Sequence, residues 1–211
     1  MRCRFALRSV LPLAVALVLA GAVRGEEGFK PLFDGKSLTG WQGDADLWRV
    51  EDGVIVGSTE NKKIQKNSFL STEKEYDNFV LRLKFKLRNH NSGVQFRSKQ
   101  HPNHVVRGYQ ADIADNKYLG ILYEEGGRGI LQNVEPEEVA KHLKADDWNE
   151  YEIVANGPHI TQKLNGFTTV DYTEKDAEKG ATSGIIALQI HVGPNMEIRF
   201  KDIEIKELEG K

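Results

Sequence analysis

Three pairs of polar side chains, Gln95 with Arg97, Gln110 with Asp112 and Gln189 with His191, are each spaced two residues apart. They sit in the segments Asn91–Arg97, Gly108–Ile113 and Ala187–His191, between the apolar residues Val94, Phe96, Tyr109, Ala111, Ile113, Leu188 and Ile190. Side chains two apart on a β-strand share a face. Each polar pair therefore points one way and the apolar residues the other, toward a core. Three such strands lying side by side would gather amides, a guanidinium, a carboxylate and an imidazole on one wall. Amides hold sugar hydroxyls, and a carboxylate, an imidazole and a cation are the groups that move protons and stabilise charge. The wall is that of a surface that binds or cleaves sugars.

The strands that must carry this wall show in the rest of the pattern. From Phe29 onward, short alternating runs are broken by Asp34-Gly35, Asp52-Gly53, Asn156-Gly157 and Asn165-Gly166, pairs that tolerate the positive φ of tight turns. Phe79, Leu81, Leu83, Phe85 and Leu87 alternate with Val80, Arg82, Lys84, Lys86 and Arg88, a strand with one buried and one mostly solvated face. Met196, Ile198 and Phe200 do the same, but Ile203 and Ile205 continue in the opposite phase, which places a β-bulge near Lys201-Asp202. Tyr118 to Tyr123 reads as a further strand, followed by Glu124, Glu125 and Arg128 around Gly126-Gly127 as a rim loop able to close over a substrate. Glu60 to Asn67 is polar enough for an exposed loop. Only Glu135 to Leu143 reads as helical, with Pro136 suited to a first turn and Glu137 and Glu138 to the N-terminal end of the dipole. Trp41, Trp48 and Trp148 adjoin apolar strands and are expected to pack rather than to stack on sugar. Tyr109 alternates with core residues and is expected to be buried, whereas Tyr123 is free to meet a sugar.

Residues 1–25 read as a secretory signal peptide, with Arg2, Arg4 and Arg8, an apolar run from Val10 to Ala20, and cleavage after Ala22 or Gly25. Export to the periplasm or the exterior follows, and the run is too short to span a bilayer. The single cysteine, Cys3, falls in that segment, so the mature domain, residues 26–211, is expected to rest on its core without a disulfide. Removing the segment leaves 25 basic against 31 acidic residues, a net charge of −6. That balance disfavours nucleic acid and anionic membrane, both of which need clustered positive charge. The remaining 186 residues suffice for one domain with a substantial core.

Seven motifs in order carry a family resemblance: Phe33–Trp41, Leu47–Ile55, Asn91–Arg97, Gly108–Ile113, Trp148–Ile153, Leu164–Gly166 and Arg199–Ile205. Over Phe29 to Leu208 the chain resembles the 3-keto-disaccharide hydrolase domain family, part of the concanavalin-like lectin and glucanase superfamily. The resemblance implies an all-β, concanavalin-like jelly-roll sandwich of two antiparallel sheets with at most one short helix. It also implies export by glycan-degrading bacteria and, for some members, cleavage of glycosides oxidised to a ketone at carbon 3. The family commonly has Glu then Gln where this chain has Gln110 and Asp112, so the substrate is open to differ.

A 3-keto sugar has an acidic C2–H because its carbanion is delocalised as an enolate. Losing that proton expels the C1 substituent, and water adding across the alkene completes a net hydrolysis. Such a site needs a base at C2, a donor at the C3 oxygen and an acid at the leaving oxygen. Asp112 or His191 would be the base, Arg97 or Arg128 the enolate stabiliser, and Glu124 or His191 the acid. Gln95, Gln110, Gln189, Tyr123 and Arg128 would bind the carbohydrate. A retaining two-carboxylate glycosidase is disfavoured: in Gln110-Ala-Asp112-Ile-Ala-Asp115 a glutamine stands where such enzymes on this fold place the nucleophile. The rival reading is a non-catalytic, lectin-like carbohydrate-binding module. No dinucleotide fingerprint is present and no cofactor is expected. A divalent ion would have to draw on His101, His104, Asp112, Asp115 and His191, or on Asp44 and Asp46 for calcium, and no compact zinc motif is formed.

Overall fold

The computed structural model describes residues 28–209. The segment read as a signal peptide, with Cys3, lies outside the described residues. Strict alternation between Phe79 and Phe85 gives a strand whose odd residues are at most 1% exposed, and this strand is the middle of the first sheet.

Among the described residues, fifteen strands form two antiparallel sheets. The first contains β1 (Lys30–Pro31), β3 (Trp48–Glu51), β4 (Val54–Ser58), β6 (Phe79–Arg88), β11 (Asn149–Asn156), β12 (His159–Leu164), β13 (Phe167–Thr173) and β15 (Glu197–Glu207). Its order is β13-β12-β11-β6-β15-β4-β3, with β1 along β15. The second contains β2 (Trp41–Gln42), β5 (Ser68–Tyr76), β7 (Asn91–His101), β8 (Val105–Ala114), β9 (Leu122–Glu125), β10 (Gly129–Gln132) and β14 (Gly184–Ile190), ordered β10-β9-β8-β7-β14-β5-β2. The two sheets pack face to face as a jelly-roll sandwich, and one short helix, α1 (Pro136–Ala140), buries only Val139. That helix is shorter than the Glu135–Leu143 expected from sequence.

The core is filled by the inward residues of both sheets. Phe79 meets Phe96 edge-on at 6.4 Å, Phe96 stacks on Tyr109 at 5.8 Å, and Phe85 lies 5.1 Å from Tyr151. Such offset and edge contacts are the favoured aromatic geometries. Tyr109 and Trp48 are buried as expected, while Trp148 is half-buried with Lys201 Nζ 4.2 Å over its ring.

Turn chemistry follows the residues that permit it. Asp52-Gly53 and Asn165-Gly166 both take positive φ at the two positions, as two-residue hairpin turns between twisted strands require. The expected bulge in β15 is present: pairing with β6 shifts between Lys201 and Glu204, with Asp202 at φ 51°.

A second bulge decides the shape of the other sheet. The β7–β8 register slips between Phe96 and Lys99, with Arg97 at φ 47°. Beyond it the end of this hairpin folds back over β5, where Phe69 N–H donates to the His104 carbonyl at 3.0 Å. Phe69, Val106, Ile185 and Ala187 form a small second core beneath it. The outer face of this sheet is thereby covered at one end and open at the other.

Candidate active site

The three polar strands of the sequence do lie side by side, in the order β14-β7-β8, with β9 beyond. Gln95 pairs with Gln110, Gly93 with Asp112, and Gln110 with Tyr123, so these positions form rows on the outer face. At the open end they border a cavity of about 350 Å³ lined by Asn67, Asn91, Gln110, Asp112, Tyr118, Tyr123, Glu125, Ile130 and His191. That volume lies at the small end of ligand sites and suits a single sugar ring.

Asp112 is the centre of the floor. Its carboxyl is almost wholly buried, and burial raises its pKa from 3.8 to about 7, aided by the nearby negative charge of Glu125. Two amides oppose this by bonding the ionised form: Asn91 Nδ2 donates to Oδ1 at 3.0 Å, and Gln110 lends further support. Gln110 is itself oriented by a relay, since Ser98 Oγ donates to Gln95 Oε1 at 2.7 Å and Gln95 Nε2 to Gln110 Oε1 at 2.9 Å. With its oxygen so engaged, Gln110 turns its amine toward Asp112. Gly93 makes the room, because a Cβ there would stand 2.6 Å from Gln110 Cδ. Beneath the floor, the buried Tyr151 hydroxyl crosses from the opposite sheet to donate to the Asp112 carbonyl oxygen. The strand that carries the acid is thus pinned from behind.

His191 stands on one side at the end of β14. Its Nδ1 lies 2.6 Å from the Val192 carbonyl oxygen and 3.0 Å from His90 Nε2, with the two imidazoles edge-on at 4.8 Å. The Val192 carbonyl also lies 3.1 Å from His90 Nε2, and with the His191 proton on Nδ1, donated to that carbonyl, its Nε2 is left as a lone-pair base. Burial first, then the charge of His90, depress the His191 pKa, while the Val192 carbonyl works the other way. His90 reaches this place through an uncommon backbone, with Asn89 and His90 both in the left-handed region, at φ 66° and 73°.

Glu125 closes the opposite side, and burial raises its pKa while Asn67 and Arg107 oppose the rise. Asn67 clamps the two sides together: its Nδ2 donates to Glu125 Oε1 at 3.2 Å and its Oδ1 accepts from Val192 N–H at 2.9 Å. Among the described residues, no lysine or arginine lines the cavity.

Of the residues singled out from sequence, the structure gathers Asp112, His191, Gln110 and Tyr123 in the cleft and places the others elsewhere. Arg97 is turned inward by the bulge: it donates to the carbonyls of Asp77 (2.7 Å) and Gly157 (2.6 Å) and to Asn78 Oδ1 (3.0 Å), tying the turn that crosses from β5 to β6 to the β11–β12 turn. Glu124 pairs across strands with Tyr109 and shares its inward face, so it belongs to an ion-pair cluster and not to the cleft. There Arg128 bonds both Glu124 and Glu174 at 2.7 Å, and Tyr109 Oη donates to Glu174 at 2.7 Å, which holds the Glu174 pKa down at about 2. Gln95 is buried as the second link of the relay. Gln189 lies under the folded hairpin, fully buried, its amide near enough to Glu125 to favour the carboxylate yet outside hydrogen-bond geometry.

The strand expected at Tyr118–Tyr123 begins only at Leu122, because Asn116–Gly120 forms a turn with Gly120 at φ 82°. At its other end β9 runs on through Glu125, so Glu124 and Glu125 are strand residues and not the rim loop expected from sequence, and Glu125 is the one that faces the cleft. Tyr123 was already assigned to the wall, and its same-face neighbour two residues on is Glu125. Asn91 was likewise open to the period-two rule, being two before Gly93. Asn67, His90 and Ile130 carried no comparable signal.

Asp44 and Asp46 both bond Lys62 Nζ, at 2.7 and 2.9 Å, so an ammonium occupies the place proposed for calcium. Among the described residues no group of three or more His, Cys, Asp or Glu side chains is placed to hold a metal.

Fold and site together define a two-sheet jelly-roll protein with an amide-walled, carboxyl-floored cleft on the outer face of one sheet. Residues 28–206 match the 3-keto-alpha-glucoside-1,2-lyase-like domain, and the chain belongs to that family. A candidate glycosyl hydrolase from Parabacteroides distasonis ATCC 8503 is 27% identical, with a TM-score of 0.64 over 85% of this chain and 99% of that one. A second from the same organism is 23% identical, TM-score 0.63, over 86% and 95%. The carbohydrate-binding module CBM66 from Bacillus subtilis shares the fold at 13% identity, TM-score 0.61, over 80% and 96%. No curated protein sequence matches the chain.

Proposed function

We propose that the protein cleaves glycosides bearing a ketone at C3 by removing the C2 proton and eliminating the C1 substituent. The observation that carries this reading is Asp112, a buried carboxyl with a pKa of about 7 on the floor of a sugar-sized cleft. A base is most useful when its pKa lies near the working pH. Asp112 takes the proton from C2, and the electron pair forms the C1–C2 double bond as the C1–O bond breaks. Glu125, kept protonated more readily by burial, donates its proton to the departing oxygen. The product is an enone with a hydroxyl on C2. His191 Nε2 then activates water, which adds its oxygen to C1 and a proton to C2 to give the free 3-keto sugar. With no cation in the wall, the enolate is stabilised by neutral donors, the amides of Asn91 and Gln110.

Export is part of the proposal and rests on the character of residues 1–25. The test is incubation with 3-keto-trehalose or a 3-keto-glucoside in deuterated water. Release of the leaving group with deuterium at C2 of the product supports elimination. Release without deuterium points to direct displacement, and binding without release assigns the protein as a carbohydrate-binding module.

A further inference from the structure

Tyr118 and Ile130 are the two large hydrophobic residues that stand exposed among the described residues, at 37% and 45%, and both line the cleft. They come from separate elements, the turn before β9 and strand β10. Exposed apolar groups gathered beside a polar site mark a contact surface. Behind them is a second hollow of about 170 Å³, walled by the same Tyr118 and Ile130 together with Val134 and Pro136. Lys117, Asn133 and Glu135 supply its polar positions, and Lys117 Nζ lies 5.4 Å from the Tyr118 ring centroid. Two hollows divided by a shared apolar ridge suit a ligand with two parts, one seated in each.

We infer that the second hollow is the leaving-group subsite and that it takes an aromatic aglycone, held between Tyr118 and Ile130. This rests on the cleft being where the 3-keto ring is cleaved. A cavity of about 150 Å³ with apolar walls accepts a benzene ring, so the size matches one aromatic ring. A second sugar would meet Lys117, Asn133 and Glu135 with some of its hydroxyls, but those turned toward Ile130, Val134 and Pro136 would be desolvated without partners, a cost that a flat apolar ring avoids. Tyr118 presents a π face for offset stacking. The polar residues of the hollow suit hydroxyl substituents on such a ring.

The experiment compares benzyl and methyl 3-keto-glucosides, both anomers of each, whose leaving alcohols have similar acidity, so that differences report binding of the ring. The wild-type protein is expected to prefer benzyl about tenfold in kcat/KM, from burial of the ring's apolar surface. Tyr118→Ala and Val134→Asn are expected to bring that ratio close to one. A wild-type ratio near one, or variants that keep the preference, overturns the subsite while leaving the proposed reaction in place. If neither compound is cleaved, the proposed reaction fails, and the subsite is then read by calorimetric titration with unoxidised benzyl and methyl glucosides. Tighter benzyl binding that is lost in Tyr118→Ala upholds it, and equal binding overturns it.

Discussion

Replacing Asp112 with asparagine is expected to abolish turnover and at the same time to stabilise the protein at neutral and alkaline pH. The carboxyl ionises near 3.8 when solvated and near 7 in the fold. Because its folded pKa is raised, the native state holds a proton that the unfolded chain has already released throughout the interval between these values. Stability conferred on the wild type therefore falls as pH climbs from about 4 to about 7 and is level above that. At about 1.4 kcal/mol per pH unit the whole effect is about 4 kcal/mol. In a domain of this size it corresponds to roughly 10 °C in Tm. Asparagine keeps the acceptor for Asn91 Nδ2 and does not ionise, so the variant lacks this dependence. Thermal unfolding of both proteins from pH 4 to pH 9 should give curves that nearly coincide at pH 4 and separate steadily to pH 7. Variant and wild type running parallel across the range would mean that Asp112 ionises normally, and the case for it as a base poised near neutrality would collapse. In kcat/KM the wild type should show an acid limb near pH 7.

Gly93→Ala places a methyl where Gln110 Cδ now lies at 2.6 Å. It should displace that amide from Asp112 and lower kcat/KM by about tenfold or more, with circular dichroism unchanged; full activity would show that the relay is dispensable. His90→Asn removes one of the influences that depress the His191 pKa, so the part of the pH profile due to His191 should move upward as kcat falls about tenfold. A profile that stays in place would separate His90 from the chemistry. Arg97→Met removes the guanidinium donor from two carbonyls and from Asn78 Oδ1, which keeps only its bond from Gly157 N–H. It should cost about 3 kcal/mol in urea unfolding while the folded fraction keeps its kcat; loss of kcat at full stability would return Arg97 to the active site.

Period-two alternation explains why so much of the wall was readable. Val94, Phe96, Tyr109, Ala111, Ile113, Leu188 and Ile190 each had to face a core, and their neighbours Gln95, Gln110, Asp112, Gln189 and His191 then had to face away from it. The same logic failed at Arg97, because a bulge inserts an extra residue and reverses the phase beyond it. Phe96-Arg97-Ser98 contains no glycine to announce such a break, and Arg97 at φ 47° sends its guanidinium to three acceptors in the β5–β6 and β11–β12 turns, remote in sequence. At Glu124 and Glu125 the difficulty was the strand's end: the sequence places both beyond Tyr123 in a rim loop, whereas β9 runs on through Glu125, so alternation turns Glu124 inward beside Tyr109 and Glu125 outward with Tyr123.

The chain by itself determined the all-β class, the main turns and the side of the sheet on which Asp112 and His191 stand, since these follow from local alternation and from residues that tolerate positive φ; the two-sheet jelly roll was implied by the family resemblance of its motifs. Which polar groups share a cleft was decided only by the tertiary fold. The bulge in β7 bends its hairpin over Gln189, Asn67 arrives from the approach to β5 to bridge Glu125 and Val192, and Tyr118 and Ile130 meet across the lip. Those placements depend on contacts between residues distant in sequence, whose register no local pattern encodes.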